Sequence, residues 1–160
     1  MIFRALVSFL IGLIAIVLVY SLSNDLSQVA DFYAKNIRAS LFTGFLTVGS
    51  FLLSLKVFIV VKFKENIFDS AAYREKLQDR RKLNPDISHY GPVKRLSRLL
   101  FFSIISSIAA SVAQLSVGLI PMWQATLFCV FAAVFAGSML ICTLWLIREI
   151  LDEWLSYLET

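Results

Sequence analysis

Aspartate, glutamate and histidine are missing from every long apolar stretch of this chain, and the single histidine, His89, stands in its one sizeable hydrophilic segment. That absence excludes the intramembrane carboxylate on which small proton-coupled exchangers depend. His89 lies between Pro85 and Pro92, near Asp86 and Tyr90, and reads as a solvated or headgroup-facing side chain; without cysteine partners it builds no zinc site. Cysteine is scarce as well. Cys129 and Cys142 fall on one expected helix, about 20 Å apart at 1.5 Å per residue, too far to bridge within a subunit. They read as small packing residues and imply no disulfide framework. The six glycines form no phosphate-binding loop, and no serine stands in a G-x-S-x-G setting. No catalytic residue, cofactor or metal is expected, and the chain reads as non-enzymatic.

What is present is apolar. Hydrophobic residues make up 59% of the 160 residues and charged residues 16%, with a mean hydropathy of +0.79. A soluble domain is about 45–50% apolar, so water is not the main solvent of this chain. Four runs are long enough to cross a hydrocarbon core of about 30 Å: 5–22, 41–61, 99–120 and 125–147. The expected fold is all-α, one polytopic four-span membrane domain over 1–160. The first run is preceded by Arg4 and followed by Ser21-Leu22-Ser23, a small-x-small pattern like that of a cleaved signal. Its apolar core exceeds the roughly 7–15 residues of a signal peptide, which favours a retained helix. Pro121 to Gln124 is a connection short enough to demand an antiparallel return.

Two amphipathic pieces and a basic loop complete the layout. Leu26, Val29, Ala30, Tyr33 and Ile37 repeat on one helical face before the second span, with Asn24 or Asp25 as the cap. That segment is either an interfacial helix or an outward extension of the second span, and the unbroken path from Asp25 to Phe63, free of Gly-Pro punctuation at the junction, favours extension. The hydrophilic loop 62–98 carries Lys62, Lys64, Arg74, Lys76, Arg80, Arg81, Lys82, Lys94, Arg95 and Arg98 against five acids. A short helix is expected from Asp69 or Ser70 to about Leu83, stopped at Asn84-Pro85, and Gly91-Pro92 opens the third span. Basic residues concentrate on the cytoplasmic side of a membrane protein. The loop, the N-terminus with Arg4, and the tail 148–160 after Arg148 are therefore expected in the cytoplasm of a bacterial inner membrane, leaving Lys35 and Arg38 outside. The tail is acidic and amphipathic, with Ile150, Leu151, Trp154, Tyr157 and Leu158 as its apolar positions.

Each span also carries a row of small or hydroxyl residues. Ala5, Ser8, Gly12 and Ala15 mark the first; Thr43, Thr47, Ser50 and Ser54 the second; Ser103, Ser107, Ser111 and Gln114 the third; Cys129, Ala133 and Gly137 the fourth. Helices in lipid associate through close approach at small residues and side-chain hydrogen bonds, so these rows predict helix packing. A second reading has the hydroxyl rows of spans two or three lining a pore, which a four-helix unit is too small to enclose without an oligomer. Thr47-Val48-Gly49-Ser50 has a superficial likeness to a potassium filter, but it falls within a continuous apolar helix. Lys56, the one ionisable residue inside a span, lies close enough to the expected cytoplasmic end to reach the headgroups.

Two functional readings follow. The first is a non-enzymatic, homo-oligomeric membrane module whose basic loop and acidic tail dock a soluble protein or sense the membrane. Arg74, Lys76, Arg80, Arg81 and Lys82 are its contact residues for a partner or for anionic lipid. The second is an oligomeric ion channel or pore. Nucleic acid is a poor fit, because a net charge of +4 concentrated in membrane-adjacent loops reports topology and lipid contact. Span number and length also suit a bacterial immunity or phage-defence setting, an analogy of topology alone. The layout is tested by single cysteines replacing Gln78 and Met122 in a background without Cys129 and Cys142: they should label from opposite sides of the membrane, and labelling of both from one side contradicts four spans.

Overall fold

In the computed structural model, residues 2–23, 25–63 and 91–158 are described. They form five helices: α1 (Ile2–Leu22), α2 (Leu26–Asn36), α3 (Arg38–Phe63), α4 (Gly91–Leu115) and α5 (Trp123–Leu158). Four of them, α1, α3, α4 and α5, are long and apolar enough to cross a membrane. The short cytoplasmic helix expected near Asp69–Leu83 lies outside the described residues.

The helix boundaries follow local chemistry. Asp25, in an extended conformation, caps α2 by accepting from the Ser27 amide at 2.9 Å and hydroxyl at 2.7 Å. Those same bonds, the hydroxyl first, hold the exposed Asp25 carboxyl below its usual range. Between α2 and α3, Ile37 stays in the right-handed helical region at φ −112° and ψ −42°, its amide bonds the Tyr33 carbonyl and its carbonyl accepts from Leu41. Helical hydrogen bonding thus carries across the junction of α2 and α3. At the far end of α4 the expected helix to Ile120 stops at Leu115 and tightens into a 3-10 turn, Val117–Leu119. Pro121 is the reason, since the residue before proline avoids helical backbone and Ile120 is extended at ψ 122°. The tail expected to follow a fourth span ending near Ile147 is instead the same helix, unbroken to Leu158. At 36 residues α5 is about 54 Å long, well beyond a hydrocarbon core of about 30 Å.

Packing runs in the order α3, α4, α5, α1. The central α4 buries 44% of its apolar span and α1 only 11%, so α4 is the spine and α1 a satellite of α5. Toward the loop end, Leu52 and Ile59 of α3, Leu96, Leu99, Leu100 and Ile104 of α4, and Leu146 and Ile150 of α5 form one apolar cluster. The outer surface is apolar too, with Phe3, Val17, Phe51, Val57, Ile141 and Trp145 all strongly exposed. A protein in water hides such a surface; a protein in lipid presents it.

Two glycines set the helix spacing. A Cβ on Gly49 would lie 3.2 Å from the Ile108 side chain and 3.9 Å from the Ile104 carbonyl oxygen, so α3 and α4 approach closely there. The segment around it is helical, without a filter-like loop. A Cβ on Gly12 would fall 2.7 Å from the Phe131 ring, which is itself packed edge-on to Phe9 at 5.3 Å and stacked on Phe135 at 6.2 Å. Nothing lies within 4 Å of a Cβ on Gly137. Gly12→Leu should therefore separate α1 from α5 at a cost of about 1–3 kcal/mol, whereas Gly137→Leu should be tolerated. Thermal unfolding of the two variants in detergent checks this, and equal losses would contradict the assignment of the tight seam to Gly12.

Candidate functional site

The polar groups of the bundle gather along one face of α4 and at its Gln114 end. Ser103, Ser107, Ser111 and Gln114 recur every three to four residues, so they share a face, and all four are fully buried. Ser103 Oγ is hydrogen-bonded with Thr143 Oγ1 of α5, and both hydroxyls reach the Met139 carbonyl, at 3.3 and 2.9 Å. Ser111 Oγ donates to the Phe42 carbonyl of α3 at 2.9 Å. The row is thus divided between the two neighbours, α5 and α3. Ser107, whose Cβ lies 3.6 Å from the Cβ position of Gly49, is the exception: its hydroxyl has no partner among the described residues. The buried Ser8 hydroxyl of α1 shares that condition.

Gln114 carries the row into a network that fastens α2. Its Nε2 donates to the Cys129 carbonyl at 3.0 Å, and its Oε1 accepts from the Tyr33 hydroxyl at 2.7 Å. Cys129 Sγ in turn donates to the Ala113 carbonyl at 3.4 Å. Five residues beyond Tyr33, past Ile37, Arg38 Nη1 donates to the Gly118 carbonyl at 2.6 Å. A Cβ on Gly118 would lie 3.1 Å from Arg38 Cδ and 3.4 Å from Cys129 Sγ, so a bare glycine lets the arginine stem cross the turn. Burial, partly offset by the Gln114 bond, pushes the Tyr33 phenol up to about 12 from an ordinary 10.0. Beside this clamp a cleft of about 490 Å³ separates α2 from the α4–α5 connection, lined by Ser27, Asp31, Arg38, Met122, Trp123 and Gln124 among others.

Other candidate residues from the sequence occupy different settings. Thr47, Ser50 and Ser54 are exposed on α3, and the Ser50 and Ser54 hydroxyls bond to carbonyls of their own helix, Leu46 at 2.9 Å and Ser50 at 3.5 Å. Ala133 is buried and Gly137 half-buried. Lys56 is half-buried on α3, with Nζ 4.7 Å from the centre of the Phe101 ring of α4, a cation–π contact worth about 0.5–2 kcal/mol. Arg74, Lys76, Arg80, Arg81 and Lys82 lie outside the described residues. At the end opposite the clamp, Arg4 reaches Glu149 at 3.6 Å and the Cys142 carbonyl at 3.4 Å, and Arg148 faces Asp152 at 3.6 Å. With Glu149 largely exposed, such pairs contribute about 0–1 kcal/mol. Among the described residues no cluster of three His, Cys, Asp or Glu side chains forms that could hold a metal ion.

Sequence reasoning did not single out Tyr33, Arg38 or Gly118 as a unit. The signals in the sequence were separate: Tyr33 on the periodic face before the second span, and Arg38 as one of two cations that the charge pattern sets apart from the basic loop. No family model, no curated protein and no solved structure matches this chain.

Tyr33→Phe should leave the buried Gln114 Oε1 unpaired, at about 1–3 kcal/mol, and loosen α2 while α4 and α5 hold. Amide exchange over 26–36 should then accelerate by about 5- to 100-fold. In the native chain the phenol is held neutral, so its contribution is complete below pH 10 and is lost as pH rises through about 12. Unchanged exchange in α2 of Tyr33→Phe would contradict the clamp.

Proposed function

We propose that this chain is an integral protein of a bacterial-type inner membrane, crossing it four times with both termini and the loop 62–98 in the cytoplasm. In this reading α2 lies at the outer interface and Trp123 and Trp145 sit near opposite headgroup layers. The protein acts as a non-enzymatic, homo-oligomeric module. Its basic loop, with Arg74, Lys76, Arg80, Arg81 and Lys82, and its acidic tail dock a cytosolic protein or sense anionic lipid, in keeping with a defence or immunity setting.

The observation that carries this reading is where the polar chemistry is spent. The hydroxyl row of the third span is turned inward and largely consumed by α3 and α5, which leaves the cytoplasmic segments as the surface of varied charge. The length of α5 supports the same view, because a helix of about 54 Å carries Glu149, Asp152 and Glu153 past the membrane on a rigid stem. Copies of the chain would meet on the exposed α3 face of Thr43, Gly44, Thr47 and Ser50, where small residues permit close approach.

The exposure of that same face is what favours the second reading, an oligomeric pore lined by span two. There, cysteines at Thr47 and Ser54 would react with a water-soluble reagent, and a bulky Thr47→Phe would block flux without dissolving the oligomer. Under the module reading Thr47→Phe dissolves the assembly instead.

Docking itself is tested by reversing Arg80 and Arg81 to Glu. Near an anionic leaflet each cation contributes about 1 kcal/mol, so lipid anchoring alone predicts weaker vesicle binding of the loop and nothing else. Docking predicts loss of a co-purifying soluble partner, or of biological activity, at normal membrane insertion. Full activity at normal protein level would contradict it.

A further inference from the structure

We infer that the cleft between α2 and the α4–α5 connection is a binding site for the headgroup of a zwitterionic phospholipid carrying a primary amine. The inference rests on the four-span reading, which puts this end of the bundle at the outer membrane boundary. A cleft of about 490 Å³ there holds one cation, Arg38, and one anion, Asp31.

Arg38 is half-buried and held in place by its bond to the Gly118 carbonyl, yet that bond uses one of its five N–H donors. Among the described residues no carboxylate stands within ion-pair distance of it. Asp31, exposed on the α2 side of the cleft, likewise has neither an ion pair nor a side-chain hydrogen bond among the described residues. Both charges face one space and neither neutralises the other. A guanidinium with free donors matches a phosphodiester, and a carboxylate matches an ammonium that can donate three hydrogen bonds. A phosphoethanolamine group carries both partners on one short chain. Trp123, partly exposed on the cleft wall, is the side chain that prefers headgroup depth. The apolar outer faces of α4 and α5 descend from the same end, with Val112, Leu115 and Phe128 exposed, and offer the acyl chains a surface. An anionic lipid without an amine would satisfy Arg38 but set a negative headgroup against Asp31. A choline headgroup would supply charge without N–H donors.

The test is native mass spectrometry of the full chain, released from vesicles of phosphatidylethanolamine, phosphatidylglycerol and phosphatidylcholine in equal parts. The native protein should retain phosphatidylethanolamine about tenfold or more over either competitor. Asp31→Asn should erase that preference, and Asp31→Lys should turn it toward phosphatidylglycerol. Asp31 is exposed, so neither change removes packing, and helical content by circular dichroism verifies the fold. Equal retention of the three lipids by the native chain, or a preference untouched in Asp31→Lys, overturns the site. Soluble phosphoethanolamine that binds as tightly as the diacyl lipid overturns the assignment to a membrane lipid. Side-specific labelling of single cysteines at Gln78 and Met122, in cells and in a background without Cys129 and Cys142, reports the topology separately. A missing preference with the two labels on opposite sides therefore refutes the lipid site alone, whereas labelling of both from one side refutes the four-span reading beneath it.

Discussion

A polar group inside hydrocarbon has no water to turn to, and the arrangement of this bundle follows from that constraint. The third long helix concentrates the burden, with three serines and a glutamine on one face. Putting that face against lipid would strand Gln114 in particular, whose amide cannot satisfy itself on its own helix as a serine can. The helix therefore sits centrally, with α3 and α5 taking its hydroxyls from either side. Each such interhelical bond is worth about 0.6–1.7 kcal/mol in a membrane. Their larger effect is to fix rotation: with Ser103 on α5 and Ser111 on α3, α4 has one orientation.

The same reasoning accounts for what is left outside. Thr43, Ser50 and Ser54 of α3 bond back to the carbonyls of Ala39, Leu46 and Ser50, so they face outward at little cost. The row on α1 is used differently. Ser8 is buried without a bond and Gly12 admits the Phe131 ring, so α1 is held by shape more than by polar contact. At the Gln114 end the polar face does not simply stop. Tyr33 and Arg38 reach over from α2 and the start of α3 to close it, and Ile37, where α2 passes into α3, falls between those two anchors.

Much of the fold was legible because hydropathy measures the property that matters in lipid: four apolar runs became four helices of sufficient length. Heptad spacing also marked Ser103, Ser107, Ser111 and Gln114 as one face. It did not say that this face turns inward while the equally regular row of Thr47, Ser50 and Ser54 turns out, because hydroxyls bonded to their own helix leave the same pattern as hydroxyls bonded across an interface. The Tyr33–Gln114 and Arg38–Gly118 bonds span 81 and 80 positions, beyond the reach of any periodicity. Among glycines, the spacing placed Gly12 and Gly137 alike in rows of small residues, and it could not tell that Phe131 stands against Gly12 while none of the described residues stands against Gly137. The early end of α4 was readable in principle from Pro121; the length of the 3-10 turn before it was not.

The central claim is that the polar face of α4 is sealed inside one subunit. It is tested most directly by placing single cysteines at Ser103, Ser107 and Ser111, in a chain lacking Cys129 and Cys142, and exposing membranes to a small water-soluble thiol reagent. Ser107 is the most telling position, because its hydroxyl has no bond among the described residues to lose on substitution. The account predicts no reaction at any of the three until the protein is unfolded. Rapid reaction at all three in the intact membrane would show water along this face and contradict it.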